Sequence, residues 1–156
     1  LEGIEATVSD ETMVVYNQYG QFGDALEADD AAVCLAVIGE EPYAEGFGDD
    51  GELRLSVQDL RTANRLAEGC TQLAVVLVSG RPLMIAELID GWDAFVAAWL
   101  PGTEGQGVAD VLFGDKPFTG KTAYTWPLSA DQLPLDFEAV TADEVLFPFG
   151  FGLETP

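Results

Sequence analysis

Short apolar segments alternate with amphipathic ones along the middle of the chain, and this alternation constrains the fold more than any other feature. Residues 31–38 (AAVCLAVI), 73–78 (LAVVLV) and 94–100 (AFVAAWL) are apolar on both faces. Such segments are typical of the buried strands of a parallel sheet. Strand–helix–strand repetition therefore predicts an α/β fold, in which a parallel sheet is covered by helices on both faces.

Helix signals lie between and after these strands. Ser56 can cap a helix that runs to about Glu68, with Asp59 at the capping-box position. Residues 82–89 suit a short helix with a proline in its first turn, and a last helix is predicted over about 105–113. The inward face of the first of these helices is predicted to consist of Leu60, Ala63, Leu66 and Ala67.

The two ends of the chain carry weaker patterns. Residues 1–8 predict a short helix, and Met13–Tyr16 has the pattern of a short strand. The acidic stretch Asp24–Asp30 indicates a solvated connector or helix. After Gly114 we expect a tail of turns, with an edge strand at Thr122–Trp126.

Charge and residue usage exclude several functions. The chain has 28 Asp and Glu against 6 Lys and Arg, a net charge of -22. This charge repels phosphate backbones and anionic lipid, so neither nucleic acid nor a membrane is expected as a partner. The absence of histidine excludes Ser-His-Asp and Cys-His catalysis and most zinc sites, so catalysis must use carboxylates. Cys34 and Cys70 lie in or beside apolar runs and are expected to be buried free thiols rather than a disulfide.

Ligands of parallel sheets bind beyond the carboxyl ends of the strands, where the loops 39–50, 79–82 and 101–107 are expected. The first loop, GEEPYAEGFGDD, carries five carboxylates among glycines and aromatic residues. A carboxyl that is partly desolvated beside Tyr43 and Phe47 suits a general acid, because burial raises the pKa of a carboxyl group. From composition alone, an acidic surface turn is the alternative. A calcium loop is disfavoured, because the EF-hand ligand spacing is missing.

Three residues of the other two loops are further candidates. Arg81 follows a strand end, where its fork-shaped guanidinium can pair with the acidic loop, an ion pair being favoured over a substrate contact. Trp99 ends a strand and could contact a ligand or another domain, with packing as the default. Glu104 precedes a helix, and capping of that helix is its structural alternative.

Five segments, in the same order along the chain, resemble the second domain of glycoside hydrolase family 3, above all its exo-1,3/1,4-β-glucanases and β-glucosidases. They are GEEPYAEGFGD (39–49), VLVSGRPL (76–83), AAWLPGTEGQGVADVLFGDKPFTGK (97–121), TWPLSADQLPL (125–135) and FPFGFGL (147–153). The resemblance covers most of residues 1–153. It implies a three-layer αβα sandwich with a mostly parallel sheet that lacks its first strand at the N-terminus. It also implies a single partial domain over residues 1–156, with 115–156 as an extended C-terminal tail.

The resemblance further implies a retaining, exo-acting hydrolase of terminal β-glucosyl residues in a β-glucan or β-glucoside. By the match to the first segment, the general acid/base falls on Glu45. The nucleophile would be an aspartate on a (β/α)8-type barrel domain, and its motif has no match here, so we expect the isolated chain to be inactive. Candidates for substrate binding or the domain interface are Tyr43, Asp49, Arg81, Trp99 and Glu104.

No cofactor and no catalytic metal are implied by this resemblance. Polysaccharide-degrading relatives imply a secreted or periplasmic location. The alternative function is a non-catalytic binding or interaction module that keeps the same fold. Retention of Glu45 and its loop argues against that alternative, whereas the missing barrel argues for it.

Overall fold

One parallel sheet organises the chain. The computed structural model describes residues 1–23, 33–136 and 140–155. Within them, strands β1 (Val33–Gly39), β2 (Gln72–Val78) and β3 (Ala94–Trp99) form a three-stranded sheet in the order β1-β2-β3. Both strand pairs are parallel. The predicted α/β fold with a parallel sheet is confirmed, because each apolar segment became a strand.

Three helices accompany the sheet: α1 (Glu2–Thr7), α2 (Val57–Gly69) and α3 (Gly105–Leu112). The predicted start of α2 is confirmed, since the Ser56 hydroxyl accepts a hydrogen bond of 3.0 Å from the Asp59 amide. Helix α2 contacts β1 and β2, and α1 packs against α3.

The buried stripe of α2 is narrower than predicted. Thr62, Ala63 and Leu66 are buried, whereas Ala67 is exposed. The prediction for Ala67 is wrong because the face of α2 that packs on β1 and β2 is centred on positions 62, 63 and 66, and position 67 lies beside that face.

The segment 82–89 is not the predicted helix. Residues 82–85 are extended, and a 3-10 turn follows at Ile89–Gly91. Leu83 and Ile85 are both fully buried, with the less buried Met84 between them, an alternation typical of an extended segment. The Met84 amide donates to the carbonyl of Leu53 at 2.8 Å, so tertiary contacts replace helical hydrogen bonds.

The C-terminal tail closes the core with Trp126. Its ring is fully buried, and its indole Nε1 donates to the carbonyl of Leu83 at 2.7 Å. The edge strand predicted at Thr122–Trp126 is reduced to an isolated antiparallel bridge between Trp126 and Phe147. Met13–Tyr16 is not a strand either; Met13 is 82% exposed.

Cys34 and Cys70 are joined by a disulfide with a Cα–Cα distance of 6.0 Å. The expectation of free thiols is wrong. Cys34 lies near the start of β1 and Cys70 directly follows α2, and the packing of α2 against β1 brings them together.

The acidic stretch Asp24–Asp30 lies outside the described residues. Across the parts of the chain that the structure does describe, no helix is long and apolar enough to cross a lipid bilayer.

Candidate functional site

The carboxyl ends of the three strands lie side by side and bring the predicted loops together. The Glu40 amide donates to the Val78 carbonyl at 3.0 Å, which joins the start of loop 39–50 to the end of β2. The Ser79 amide donates to the Trp99 carbonyl at 3.1 Å, which joins the next loop to the end of β3. The loops predicted to form the site therefore begin at one edge of a rigid sheet.

Arg81 holds loop 39–50 at two points. Its Nε and Nη2 donate to Oε1 of Glu40 at 2.9 and 2.7 Å, and its Nη1 donates to the carbonyl of Gly48 at 2.6 Å. The side chains are 24% exposed for Arg81 and 13% for Glu40. The ion pair predicted between Arg81 and the acidic loop is confirmed, and its shielding from water makes it stronger than a surface pair.

The electrostatics of this pair favour the charged guanidinium. Burial lowers the pKa of Arg81, but the hydrogen bond and negative charge of Glu40 outweigh it, with further contributions from Tyr43 and Asp50. The pKa of Arg81 therefore lies above its ordinary value, and the contact with Glu40 is a permanent ion pair at any pH at which Glu40 is ionised.

Tyr43 packs between Arg81 and two glycines. The guanidinium carbon of Arg81 lies 4.6 Å from the centroid of the Tyr43 ring, a cation–π geometry. A Cβ atom at Gly48 would lie 2.1 Å from Cδ2 of Tyr43, and one at Gly80 would lie 2.9 Å from its hydroxyl. Only glycine fits at position 48 without displacing the ring. The sequence did not predict this role of Gly48 and Gly80. The feature that could have indicated it is the presence of both glycines in the loops that flank Tyr43 at the same sheet edge.

Glu45 lies at the start of a turn over residues 45–48. The Gly48 amide donates to the Ala44 carbonyl at 3.0 Å, and Gly46 has a φ of +81°, which favours glycine. The Glu45 side chain is exposed, and Phe47 is 97% exposed. The partial burial expected for a carboxyl beside Tyr43 and Phe47 is therefore not found at Glu45 within this chain.

Asp49, a further site candidate, is exposed at the end of the same turn, where its amide lies 3.4 Å from the Gly46 carbonyl. The neighbouring Asp50 carboxylate accepts a hydrogen bond of 2.8 Å from the Glu52 amide. Both contacts are local to the loop.

Trp99 is turned by a local irregularity of β3. It has a φ of +54°, unusual for a non-glycine residue, and it pairs with Val78 after a shift in register. Its ring centroid lies 5.9 Å from that of Trp126 and 6.2 Å from that of Tyr124. The partly buried ring thus has a packing role, and its predicted contact with a ligand or domain stays a prediction.

Glu104 occupies the position before α3, but its side chain makes no capping hydrogen bond to that helix. The capping alternative is therefore wrong for its side chain, which accepts a hydrogen bond of 3.3 Å from the Thr103 hydroxyl. Glu104 lines an open groove of about 400 Å³ between β3, α3 and the tail, together with Pro101 and Phe118. Trp99, the last residue of β3, and Glu104, in the loop that follows it, thus lie at the same sheet edge as Glu45.

No group of three or more His, Cys, Asp or Glu residues in the described part of the chain is arranged to hold a metal ion. The chemistry that the edge offers is that of an exposed carboxylate on a fixed loop.

Comparison with known proteins gives a consistent set of similarities. Residues 1–155 match the family model described as the glycosyl hydrolase family 3 C-terminal domain. The periplasmic β-glucosidase of Salmonella typhimurium is 32% identical over 153 residues, covering 81% of this chain and 19% of the relative. The xylan 1,4-β-xylosidase of Xylanibacter ruminicola is 37% identical over 120 residues, covering 70% of this chain and 14% of the relative.

A solved structure shares both sequence and fold. The exo-1,3/1,4-β-glucanase from a Pseudoalteromonas species is 43% identical, with a TM-score of 0.69, over 78% of this chain and 16% of that one. The chain therefore spans less than a fifth of the length of each of these proteins.

Proposed function

Because the chain belongs to the family of glycosyl hydrolase family 3 C-terminal domains, we propose that it supplies Glu45 as the general acid/base of a retaining, exo-acting β-glucosidase or exo-β-glucanase. The substrate is the terminal β-glucosyl residue of a β-glucan or β-glucoside. We propose further that residues 1–156 act as one domain, with 115–156 as its tail. These proposals extend the similarities to β-glucosidase and exo-glucanase relatives.

The observation that carries this proposal is the position of Glu45. It is an exposed carboxylate on a loop at the carboxyl edge of a parallel sheet, where ligands bind in folds of this class. The resemblance of GEEPYAEGFGD (39–49) to the family motif implies that the same residue is the acid/base. Glu41 and Asp49 share this position in the fold, and the motif singles out Glu45 among them.

The reaction divides into two proton transfers. In the first step, protonated Glu45 donates its proton to the leaving glycosidic oxygen while an aspartate from a barrel domain attacks the anomeric carbon. In the second step, the Glu45 carboxylate takes a proton from the water that releases the glycosyl-enzyme intermediate. The two carboxyl groups of a retaining enzyme stand about 5–5.5 Å apart, so the proposed barrel domain must bring its aspartate to that distance from Glu45.

Because Glu45 is exposed in this chain, the proposed barrel domain must supply the burial that a general acid needs. A general acid that works near neutral pH needs a raised pKa, and burial in a low-dielectric site raises it. In this chain Glu45 is exposed, and Phe47 and Leu100 beside the same edge are 97% and 72% exposed. We propose that a (β/α)8-type barrel domain and the bound sugar cover this surface and desolvate the acid.

The disulfide supports a location outside the cytosol. Disulfides form and persist in secreted and periplasmic proteins and are rare in the cytosol, and the Cys34–Cys70 bridge closes the segment that contains the Glu45 loop. Together with the periplasmic relative, it supports a secreted or periplasmic location.

The proposal is tested by reconstitution. The isolated chain is assayed on an aryl β-glucoside, and then as a chimera in which it replaces the segment that it matches in the Pseudoalteromonas exo-glucanase. We expect activity in the chimera and none in the isolated chain, because the nucleophile comes from the barrel. Activity of the isolated chain would contradict the divided active site.

The role of Glu45 is tested by Glu45→Gln in the chimera, with Glu41→Gln as the matched control in the same loop. We expect Glu45→Gln to lower kcat/KM on a disaccharide by about 100-fold or more, the size of a general acid–base contribution. A 2,4-dinitrophenyl glucoside should lose much less, because its leaving group needs little protonation. Near-normal turnover of the disaccharide would remove Glu45 from the acid/base role.

A further inference from the structure

We propose that Arg81 is a positioning residue: it fixes loop 39–50 against the sheet and thereby sets the orientation in which Glu45 transfers its proton. This proposal rests on the role proposed for Glu45. It assigns Arg81 to the reaction through the loop and not through contact with the sugar.

The contacts of Arg81 lie on both sides of Glu45 in the sequence. Nε and Nη2 bind the Glu40 carboxylate before it, and Nη1 binds the Gly48 carbonyl after it. The planar guanidinium presents its donors in a fixed fork, so the two ends of the loop are held at a fixed separation. Three of the five N–H donors of the guanidinium, one on each nitrogen, are used within the chain, so Arg81 is bound to the loop whether or not a sugar is present.

Tyr43 adds a third contact inside the loop. Its ring lies against the guanidinium at 4.6 Å on one side and against the backbone of Gly48 and Gly80. We call Arg81, Glu40, Tyr43 and Gly48 the Arg81 clamp. Because the clamp contains one residue from each end of the loop and one from its middle, movement of the turn that carries Glu45 requires at least one of these contacts to break.

The clamp is itself fixed to the sheet. The Ser79 hydroxyl donates to the Arg81 carbonyl at 2.8 Å, and the Ser79 amide donates to the Trp99 carbonyl at 3.1 Å. Ser79 is 2% exposed. Arg81 thus ties the loop that follows β1 to β2 and β3 at Gly48, beyond the start of the loop, where the Glu40 amide already bonds to the Val78 carbonyl.

Orientation matters because proton transfer requires hydrogen-bond reach between donor and acceptor. A misplacement of about 1 Å at a reacting group can lower a rate about 100-fold. An exposed loop without the clamp would sample many positions of Glu45, and only a fraction of them would reach the leaving oxygen.

The first test uses the chain itself. Chymotrypsin cleavage after Phe47 reports opening of the loop, and cleavage after Phe149, which is 73% exposed, serves as an internal reference. We expect Arg81→Ala to raise the rate of cleavage after Phe47 about ten- to a hundredfold relative to that reference, the effect of losing a charged hydrogen bond on local opening. Unchanged relative cleavage would overturn the proposal.

Controls separate the clamp from charge and from folding. Arg54→Ala removes a cation that pairs with Glu52 at the surface, where the two side chains are 74% and 73% exposed, and should change nothing. Arg81→Lys keeps the charge but loses the fork, so an intermediate rate is expected.

A second route to the same perturbation leaves Arg81 in place. Gly80→Ala, whose Cβ would lie 2.9 Å from the Tyr43 hydroxyl, displaces the Tyr43 ring and should raise cleavage after Phe47, whereas Gly51→Ala, whose Cβ would have nothing within 4 Å, should not. This pair decides the outcome if Arg81→Ala does not fold.

The second test measures the reaction in the chimera described above. We expect Arg81→Ala to lower kcat/KM about ten- to a hundredfold on a disaccharide and much less on a 2,4-dinitrophenyl glucoside, because only the first depends on protonation of the leaving group. A merely structural role would lower both substrates equally, and that result would overturn the proposal.

The two proposals fail in different ways. If Glu45→Gln leaves turnover of the disaccharide near normal, the assignment of Glu45 is wrong, whatever Arg81→Ala does to loop cleavage. If Glu45→Gln behaves as expected but Arg81→Ala leaves the ratio between the two substrates unchanged, the positioning role alone is wrong.

Discussion

Breaking the disulfide between Cys34 and Cys70 removes the covalent link that closes the βα unit carrying the Glu45 loop. The closed segment contains β1, loop 39–50 and α2, and the two cysteines are 36 positions apart. The perturbation is reduction of the native chain, with Cys34→Ala/Cys70→Ala as a second form of the same change.

The expected effect follows from the length of the closed segment. A cross-link across 36 residues removes conformational entropy from the unfolded chain equivalent to about 4 kcal/mol at 25 °C in the chain-entropy treatment. Since about 1 kcal/mol shifts the Tm of a domain of this size by about 2–4 °C, we expect a decrease of roughly 8–16 °C. This is a large share of the total stability of a domain, about 5–15 kcal/mol.

Urea unfolding followed by circular dichroism measures the effect in the oxidised, reduced and doubly substituted chains. The reduced chain keeps both sulfur atoms in the core, so agreement between it and the alanine variant isolates the cross-link from packing. Thiol titration of the unfolded, unreduced chain should give no free thiol. A loss below about 1 kcal/mol, or two free thiols, would contradict this account of the cross-link.

Three further results are expected. Trp126→Phe should lower the free energy of unfolding by about 1–3 kcal/mol in urea titrations, because it leaves the buried Leu83 carbonyl without its donor; Trp92→Phe is the control. Raising the salt concentration should raise the Tm, because it screens the repulsion within a net charge of -22; a Tm independent of salt would contradict this. Hydrogen bonds from the Thr141 amide and hydroxyl lower the pKa of Glu144 in the folded chain. These hydrogen bonds therefore stabilise the fold at a pH above the ordinary pKa of a glutamate, and the stabilisation is lost as the pH falls through the lowered pKa of Glu144. In NMR titrations, Thr141→Val should raise that pKa, and an unchanged value would exclude the hydroxyl as a cause.

Local patterns in the sequence were sufficient for the elements of the sheet. The segments that became β1, β2 and β3 are apolar on both faces, and each forms a strand of the parallel sheet as such a pattern predicts, although Val33 and Val37 of β1 stay exposed in this chain. The start of α2 was equally local, since Ser56 and Asp59 form their cap within one turn. For the same reason the carboxyl-edge loops could be located from the order of the apolar segments, whereas Glu45 was singled out within its loop only by the resemblance to the family motif.

Patterns that depend on distant partners failed. Residues 82–89 carry a helix signal, but no helix forms there. The side chains of Leu83 and Ile85 are both buried in the core, and the Met84 amide donates its hydrogen bond to the Leu53 carbonyl. Met13–Tyr16 has the composition of a strand but pairs with none of the three described strands. In both cases tertiary context outweighed local propensity.

The class of the fold, the family and the loop that carries the candidate acid follow from the sequence, because they depend on short-range periodicity and on a contiguous motif. The folded chain was needed to show that Cys34 forms a disulfide with Cys70 and that Arg81 forms hydrogen bonds with Glu40 and Gly48 of loop 39–50. These contacts join residues 33 to 41 positions apart, and their geometry exists only after β1, α2 and β2 have packed. The spacing of residues along a chain does not give the distances between them in space. The contacts that hold the Glu45 loop against the sheet could therefore be seen only in the folded molecule.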